Sequence, residues 1–154
     1  MTYKVFVTRE LPKSALKLLY DRFDVEIWSK EVPPPKNILL TKVKELDGLL
    51  PLLTESIDRE VLRAGNQLQI VSQMAVGYDN IDVTEATQRG IYVTNTPGVL
   101  TETTADYAFA LLMATARRIA EADTWVRQGN WKIPWGPMMF VGGTFMEKRW
   151  DLLA

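Results

Sequence analysis

The chain has 154 residues, long enough for one domain with a real core. Apolar residues make up 47% and charged residues 24%, with a net charge of −1 and both signs interspersed, so there is no electrostatic footprint for nucleic acid or an anionic membrane. Cysteine and histidine are both absent, which excludes disulfides and thiol chemistry, argues against a metal site, and leaves Asp, Glu, Lys or Tyr for any proton transfer.

In chain order, short apolar runs alternate with helical patterns. A first strand is predicted over 4–8, rich in β-branched and aromatic residues, and a helix over 12–23, opened by Pro12 and striped by Ala15, Leu16, Leu18 and Leu19. Strand two falls at 24–28, and Pro33-Pro34-Pro35 is a stiff connector to a helix over 36–46. Strand three is read at 48–52, a helix at 56–64 closed by Gly65, and strand four at 68–72. Asp82 and Glu85 have capping-box spacing for a short helix ending at Gly90, followed by strand five over 91–94. This alternation predicts an α/β, flavodoxin-like domain with a five-stranded parallel sheet of order 2-1-3-4-5 and helices on both faces.

A different pattern follows. Residues 101–128 read as one long helix, apolar on more than one face around Tyr107, Phe109, Leu111, Leu112 and Met113, which calls for burial on both sides. An irregular arm over 129–142 carries Trp131, Trp135 and Phe140. The strongly apolar run 107–116 is too short to span a bilayer, and the N-terminus lacks a signal-peptide layout; a cytoplasmic protein is the expectation.

The loop after strand four reads Gln73-Met74-Ala75-Val76-Gly77-Tyr78-Asp79-Asn80-Ile81-Asp82. Gly77 is free to take backbone angles closed to other residues, and Ala75 and Val76 leave neighbouring N–H groups uncovered. Two readings stand on these residues: a strand-to-helix turn with glycine for geometry, or a small anion nest suited to a carboxylate.

The text Ala75-Val76-Gly77-Tyr78-Asp79-Asn80-Ile81-Asp82 is similar to the signature of D-2-hydroxyacid dehydrogenases, the glyoxylate and hydroxypyruvate reductases in particular. Arg89 through Pro97, Thr104-Ala105-Asp106 with Ala108 and Leu111, Leu52-Leu53-Thr54, Gly129 through Lys132 and Trp135 through Gly142 extend the resemblance over residues 3–142. The resemblance implies a substrate-binding domain over 1–100, an inter-domain helix over 101–128 and an arm over 129–142. It implies that main-chain N–H groups at Val76 and Gly77 hold a substrate carboxylate, with Ala75 beside them and Leu53 lining the pocket. Val76 and Thr104 would touch the nicotinamide end of NAD or NADP, and Trp135 would reach a partner subunit's active site. The residues alone equally allow Thr104 as a helix-surface hydroxyl and Trp135 as a packing aromatic.

The family's catalytic arginine, glutamate and histidine belong to its cofactor domain or beyond, and no Gly-x-Gly-x-x-Gly phosphate loop occurs in this sequence. No catalytic residue, metal ligand or cofactor bound by the chain alone is therefore expected. Residues 143–154 do not resemble the family. Read one base earlier, their codons force glycine across Met146-Glu147 and Trp150-Asp151 and permit Asp-Leu-His-Gly-Lys-Thr-Leu-Gly-Leu-Ile-Gly, similar to the family's entry into its Rossmann cofactor domain. A frameshift near Gly142 or Gly143 is the expectation. The functional expectation is an inactive substrate-binding domain with weak affinity for a small 2-keto or 2-hydroxy acid, paired as a homodimer through 101–128 and the arm. The alternative is a free-standing small-carboxylate-binding module. An electron carrier or phospho-receiver of similar fold is disfavoured: Thr8-Arg9-Glu10-Leu11-Pro12 makes no flavin-phosphate cradle, and strand three offers no phosphorylatable Asp.

Overall fold

The structure, a computed structural model, describes residues 2–144. The tail over 143–154, and with it the expected change of frame, lies outside the described residues from 145 onward. The chain divides into two compact units, Met1–Val99 and Leu100–Ala154.

In the first unit, strands β1 (Lys4–Val7), β2 (Asp24–Ile27), β3 (Gly48–Leu50), β4 (Ile70–Ser72) and β5 (Tyr92–Thr94) form one parallel sheet of order β2-β1-β3-β4-β5, as expected from the sequence. Its register places Phe6, Leu49, Val71 and Val93 in one row across the sheet. Successive side chains of a strand point to opposite faces, so this row turns to one side as a unit. Against it pack α2 (Lys36–Lys42), α3 (Arg59–Ala64) and α4 (Val83–Gln88), contributing Leu39, Val61, Leu62 and Ala86 to a core in which Phe6, Leu49 and Val71 are at most 1% exposed. The opposite row holds Val5, Gly48, Ile70 and Tyr92; on that side a groove of about 450 Å³ is bordered by Val5, Gly48 and Ile70 together with Leu50, Phe23 and Leu19 of α1 (Lys13–Tyr20).

Local chemistry sets the helix ends. Asp58 caps α3, its carboxylate accepting from Glu60 and Val61 N–H, both at 3.1 Å. Asp82 caps α4 through Glu85 N–H at 2.9 Å. The expected capping box is only half made: the Glu85 carboxylate does not return to Asp82 but accepts from Arg63 Nε at 2.9 Å and Nη2 at 3.2 Å. A guanidinium offers that side chain a charged, two-pronged partner, which a single main-chain N–H cannot match. The helix expected over 36–46 stops at Lys42 and tightens into a 3₁₀ turn, Val43–Glu45.

In the second unit, the single helix expected over 101–128 is two helices, α5 (Thr101–Ala116) and α6 (Ile119–Arg127). Between them Arg118 is left-handed, with φ at 54°. The break has a partner in the arm: the Ala116 carbonyl accepts from Gly143 N–H at 3.0 Å. Gly142 passes so close to that carbonyl that a Cβ would collide with it. The arm packs on α6, with Trp125 and Phe140 edge to face at 5.6 Å and the Arg118 guanidinium over the Phe140 ring. Two-sided burial of the long apolar helix is not seen; no α5 or α6 residue is buried. Among the described residues no helix is long and apolar enough to cross a membrane.

Candidate functional site

Ligand sites in open parallel sheets gather at the carboxyl ends of the strands. Here the loops after β3 and β4 meet there. Leu53, on the first loop, is exposed, and a Cβ on Gly77 of the second would sit 3.7 Å from its Cδ2. Ala75 is buried beneath, and Val76 and Tyr78 stand exposed beside it. Four of the expected residues, Leu53, Ala75, Val76 and Gly77, are thus brought to one place.

The reason given for Gly77 needs correction. Its φ lies outside the left-handed region, and a Cβ would make ordinary contacts with Leu53 and Asp79. A side chain there would stand against Leu53 and Asp79, and the glycine leaves that side of the loop uncovered.

The loop is tied down through its carbonyls. Ala75 O accepts from Thr96 N–H at 3.0 Å and Val76 O from Asn95 Nδ2 at 2.8 Å. Gly77 O accepts from Gln73 Nε2 at 3.2 Å. Among the described residues no acceptor meets the main-chain N–H of Val76, Gly77 or Tyr78. Uncommitted N–H groups in succession, half exposed and next to an apolar wall, are suited to a small carboxylate.

Beneath this loop lies a polar layer that the sequence reading did not single out. Asn80 Nδ2 donates to Leu52 O at 3.1 Å and Glu55 O at 2.8 Å, while Asn80 Oδ1 accepts from Gln73 Nε2 at 2.8 Å. The Glu55 side chain is fully buried. Its carboxylate accepts from Thr8 Oγ1 and Leu52 N–H, each at 2.7 Å, and from Thr54 Oγ1 at 2.8 Å, with the Arg9 guanidinium 3.2 Å away. A buried carboxylate is tolerated only with such a full set of partners. The layer holds the Leu53 loop and the Gly77 loop as one piece. A local signal existed only in Glu55, a carboxylate on the loop after an apolar strand; Leu52 and Thr54 lie beside it in sequence, but Thr8 is 47 residues away and Arg9 adjoins Thr8.

The remaining expected residues belong to the second unit. Thr104 is exposed in the first turn of α5, its N–H donating to Leu100 O at 2.8 Å. Trp135 is 72% exposed and lines an apolar cavity of about 260 Å³ with Trp125, Trp131 and Phe140. Among the described residues no group of three His, Cys, Asp or Glu is placed to hold a metal ion.

Residues 5–132 match the family profile described as D-isomer specific 2-hydroxyacid dehydrogenase, catalytic domain. A glyoxylate reductase of Korarchaeum cryptofilum is 59% identical over 142 residues, which are 92% of this chain and 43% of that protein. Among solved structures, the TT0316 protein of Thermus thermophilus superposes with a TM-score of 0.85 at 43% identity, over 90% of this chain and 44% of that one. An NADPH-dependent glyoxylate/hydroxypyruvate reductase of Sinorhizobium meliloti, in complex with NADP and malonate, gives a TM-score of 0.70 at 30% identity, over 89% of this chain and 43% of that one. The chain therefore spans less than half the length of these relatives. With the profile matched over most of its length and a fold that superposes on the Thermus thermophilus structure, the chain belongs to the D-isomer specific 2-hydroxyacid dehydrogenase family.

Proposed function

We propose that residues 1–100 form the substrate-binding half of a D-2-hydroxyacid dehydrogenase site, holding the carboxylate of a small 2-keto or 2-hydroxy acid such as glyoxylate. The observation that carries this reading is the pair of uncommitted amides at Val76 and Gly77 beside Leu53. The malonate in the Sinorhizobium meliloti neighbour supports a carboxylate ligand. In the complete enzyme NADH or NADPH would supply the hydride that reduces the 2-keto acid, and the oxidised cofactor would take it back from the 2-hydroxy acid. In the first unit Val76 is the residue offered to the nicotinamide end, and the sequence holds no Gly-x-Gly-x-x-Gly loop for the pyrophosphate. The chain alone binds its ligand and does not turn it over.

Hydrogen bonds to a charged group contribute about 1.5–3 kcal/mol each, and association costs several kcal/mol, so two or three amides give millimolar affinity or weaker. Titrating the ¹⁵N-labelled chain with glyoxylate should shift the amides of residues 75–78 first. Micromolar binding elsewhere, or steady reduction of glyoxylate with NADH or NADPH that co-purifies with the chain, would overturn the reading.

The second unit fits an assembly role, in a cytoplasmic homodimer built from 101–128 and the arm over 129–142. Tyr107 and Leu111 on α5 and Trp131 and Trp135 on the arm are each more than half exposed, and covering such side chains contributes about 1.5–3 kcal/mol apiece. A second copy is the simplest cover. Light scattering should give a dimer for the full chain and a monomer for a chain ending at residue 99. A monodisperse full-length monomer would contradict this.

A further inference from the structure

Three consecutive peptide groups of the loop after β4 are held from behind. Their carbonyls, at Ala75, Val76 and Gly77, accept from Thr96 N–H, Asn95 Nδ2 and Gln73 Nε2 respectively. A trans peptide is planar, with its C=O and N–H pointing in opposite directions, so fixing the oxygen fixes the direction of the hydrogen. The Val76 carbonyl shares its plane with the Gly77 N–H, and the Gly77 carbonyl shares its plane with the Tyr78 N–H. The two side chains that hold those carbonyls therefore decide where the two amides aim.

We propose that Asn95 and Gln73 are positioning residues of the carboxylate site, Asn95 aiming the Gly77 amide and Gln73 the Tyr78 amide. The inference rests on the carboxylate reading given above and names what makes that site a preformed one. Gln73 has a recognisable cost. It is 1% exposed, its Nε2 serves both Gly77 O and Asn80 Oδ1, and among the described residues its buried Oε1 meets no hydrogen-bond donor. Turning the amide over would set an oxygen against two oxygens, so its orientation is dictated by its neighbours. A buried acceptor left unpaired is unfavourable, and it is retained where the other end of the same amide is needed. Asn95 is half-buried and contributes through one hydrogen bond, that to Val76 O.

The test uses the full ¹⁵N-labelled chain as wild type, Asn95→Leu, Gln73→Met and a neighbouring control, Thr94→Val. The control removes the exposed hydrogen bond from Thr94 Oγ1 to Ser72 Oγ without touching the loop carbonyls. Asn95→Leu should keep the wild-type circular dichroism and amide spectrum outside residues 75–79. Its Gly77 amide should become more mobile in ligand-free relaxation data, and its glyoxylate affinity should fall about tenfold, equivalent to ~1.4 kcal/mol. Gln73→Met should do the same with the disturbance centred on Tyr78; since it replaces a buried amide, Asn95→Leu decides the matter where that variant fails to fold. Thr94→Val should bind as the wild type does. Equal affinity and equal Gly77 mobility in wild type and Asn95→Leu overturn the proposal, as does an equal loss in Thr94→Val, which would mean general loosening. Failure of the wild type itself to bind at 75–78 is a separate result, which removes the carboxylate reading and the positioning role with it.

Discussion

The two units solve the burial problem in opposite ways. Residues 2–99 close a core of their own: every buried hydrophobic side chain among the described residues lies between Phe6 and Ile91. Residues 100–144 contain helices of comparable or greater length, yet none of their residues is buried. A sheet whose rows Phe6-Leu49-Val71-Val93 and Val5-Gly48-Ile70-Tyr92 face opposite ways offers a surface on each side. In the second unit the arm packs on α6, and among the described residues no sheet stands behind either helix. The contrast teaches that the first unit buries its apolar side chains within itself, whereas the second leaves its own at the surface.

The contrast breaks if equivalent truncations cost the same in both units. Leu49→Ala, at a core position 1% exposed, should destabilise the chain by about 2–5 kcal/mol. Leu111→Ala, at a position 51% exposed, should change the stability of the first unit by less than about 0.5 kcal/mol. Urea unfolding followed through Trp28, which packs against the core, reads both. Similar losses for the two variants would mean that the units share one core.

A smaller effect is expected at the cap of α3. Asp58→Ala removes the acceptor for the Glu60 and Val61 amides and should cost about 1 kcal/mol in the same experiment. A cost above about 3 kcal/mol would show that its ion pair with Lys36, 2.6 Å away, matters more than an exposed pair should.

The pH dependence sharpens the same region. The hydrogen bond from Arg63, helped by the charges of Arg63 and Arg59, outweighs desolvation and holds the Glu85 carboxyl below its ordinary value. A carboxyl with a depressed folded-state value contributes stability that is fully present above the unfolded value, near 4.3 for glutamate, and is lost as pH falls through the folded value. The difference in thermal midpoint between wild type and Glu85→Gln should therefore be constant near neutrality and shrink below about pH 4.3. A difference that grows on acidification would have the wrong sign for a carboxylate stabilised by Arg63.

How much of this was visible in the sequence follows from the range over which each feature acts. The strand order, the cap residue Asp82 and the loop bearing Val76 and Gly77 were legible because each is written in nearby residues; the cap at Asp58 was not, the helix being expected from residue 56. The break at Arg118 was not, since no Gly or Pro marks it and the group that satisfies the Ala116 carbonyl is Gly143. The layer of Thr8, Arg9, Glu55, Gln73, Asn80 and Asn95 was also missed. Its bonds join residues as far as 47 apart and run from side chains both to carbonyls and to other side chains, a pattern that leaves no local period. The half-made capping box shows the reverse error: Asp82 and Glu85 have the right spacing, but Arg63, reached only through the fold, takes the glutamate.

The central claim, that the amides beside Leu53 hold a carboxylate, is tested most directly by changing only the charge of the ligand. Glycolate and its uncharged amide, glycolamide, have nearly the same shape. Titrated into the ¹⁵N-labelled chain, glycolate should shift the Val76 and Gly77 amides with millimolar affinity, and glycolamide should bind at least about tenfold more weakly, as charged acceptors form hydrogen bonds roughly twice as strong as neutral ones. Equal binding of the two, or shifts that bypass residues 75–78, would contradict the account.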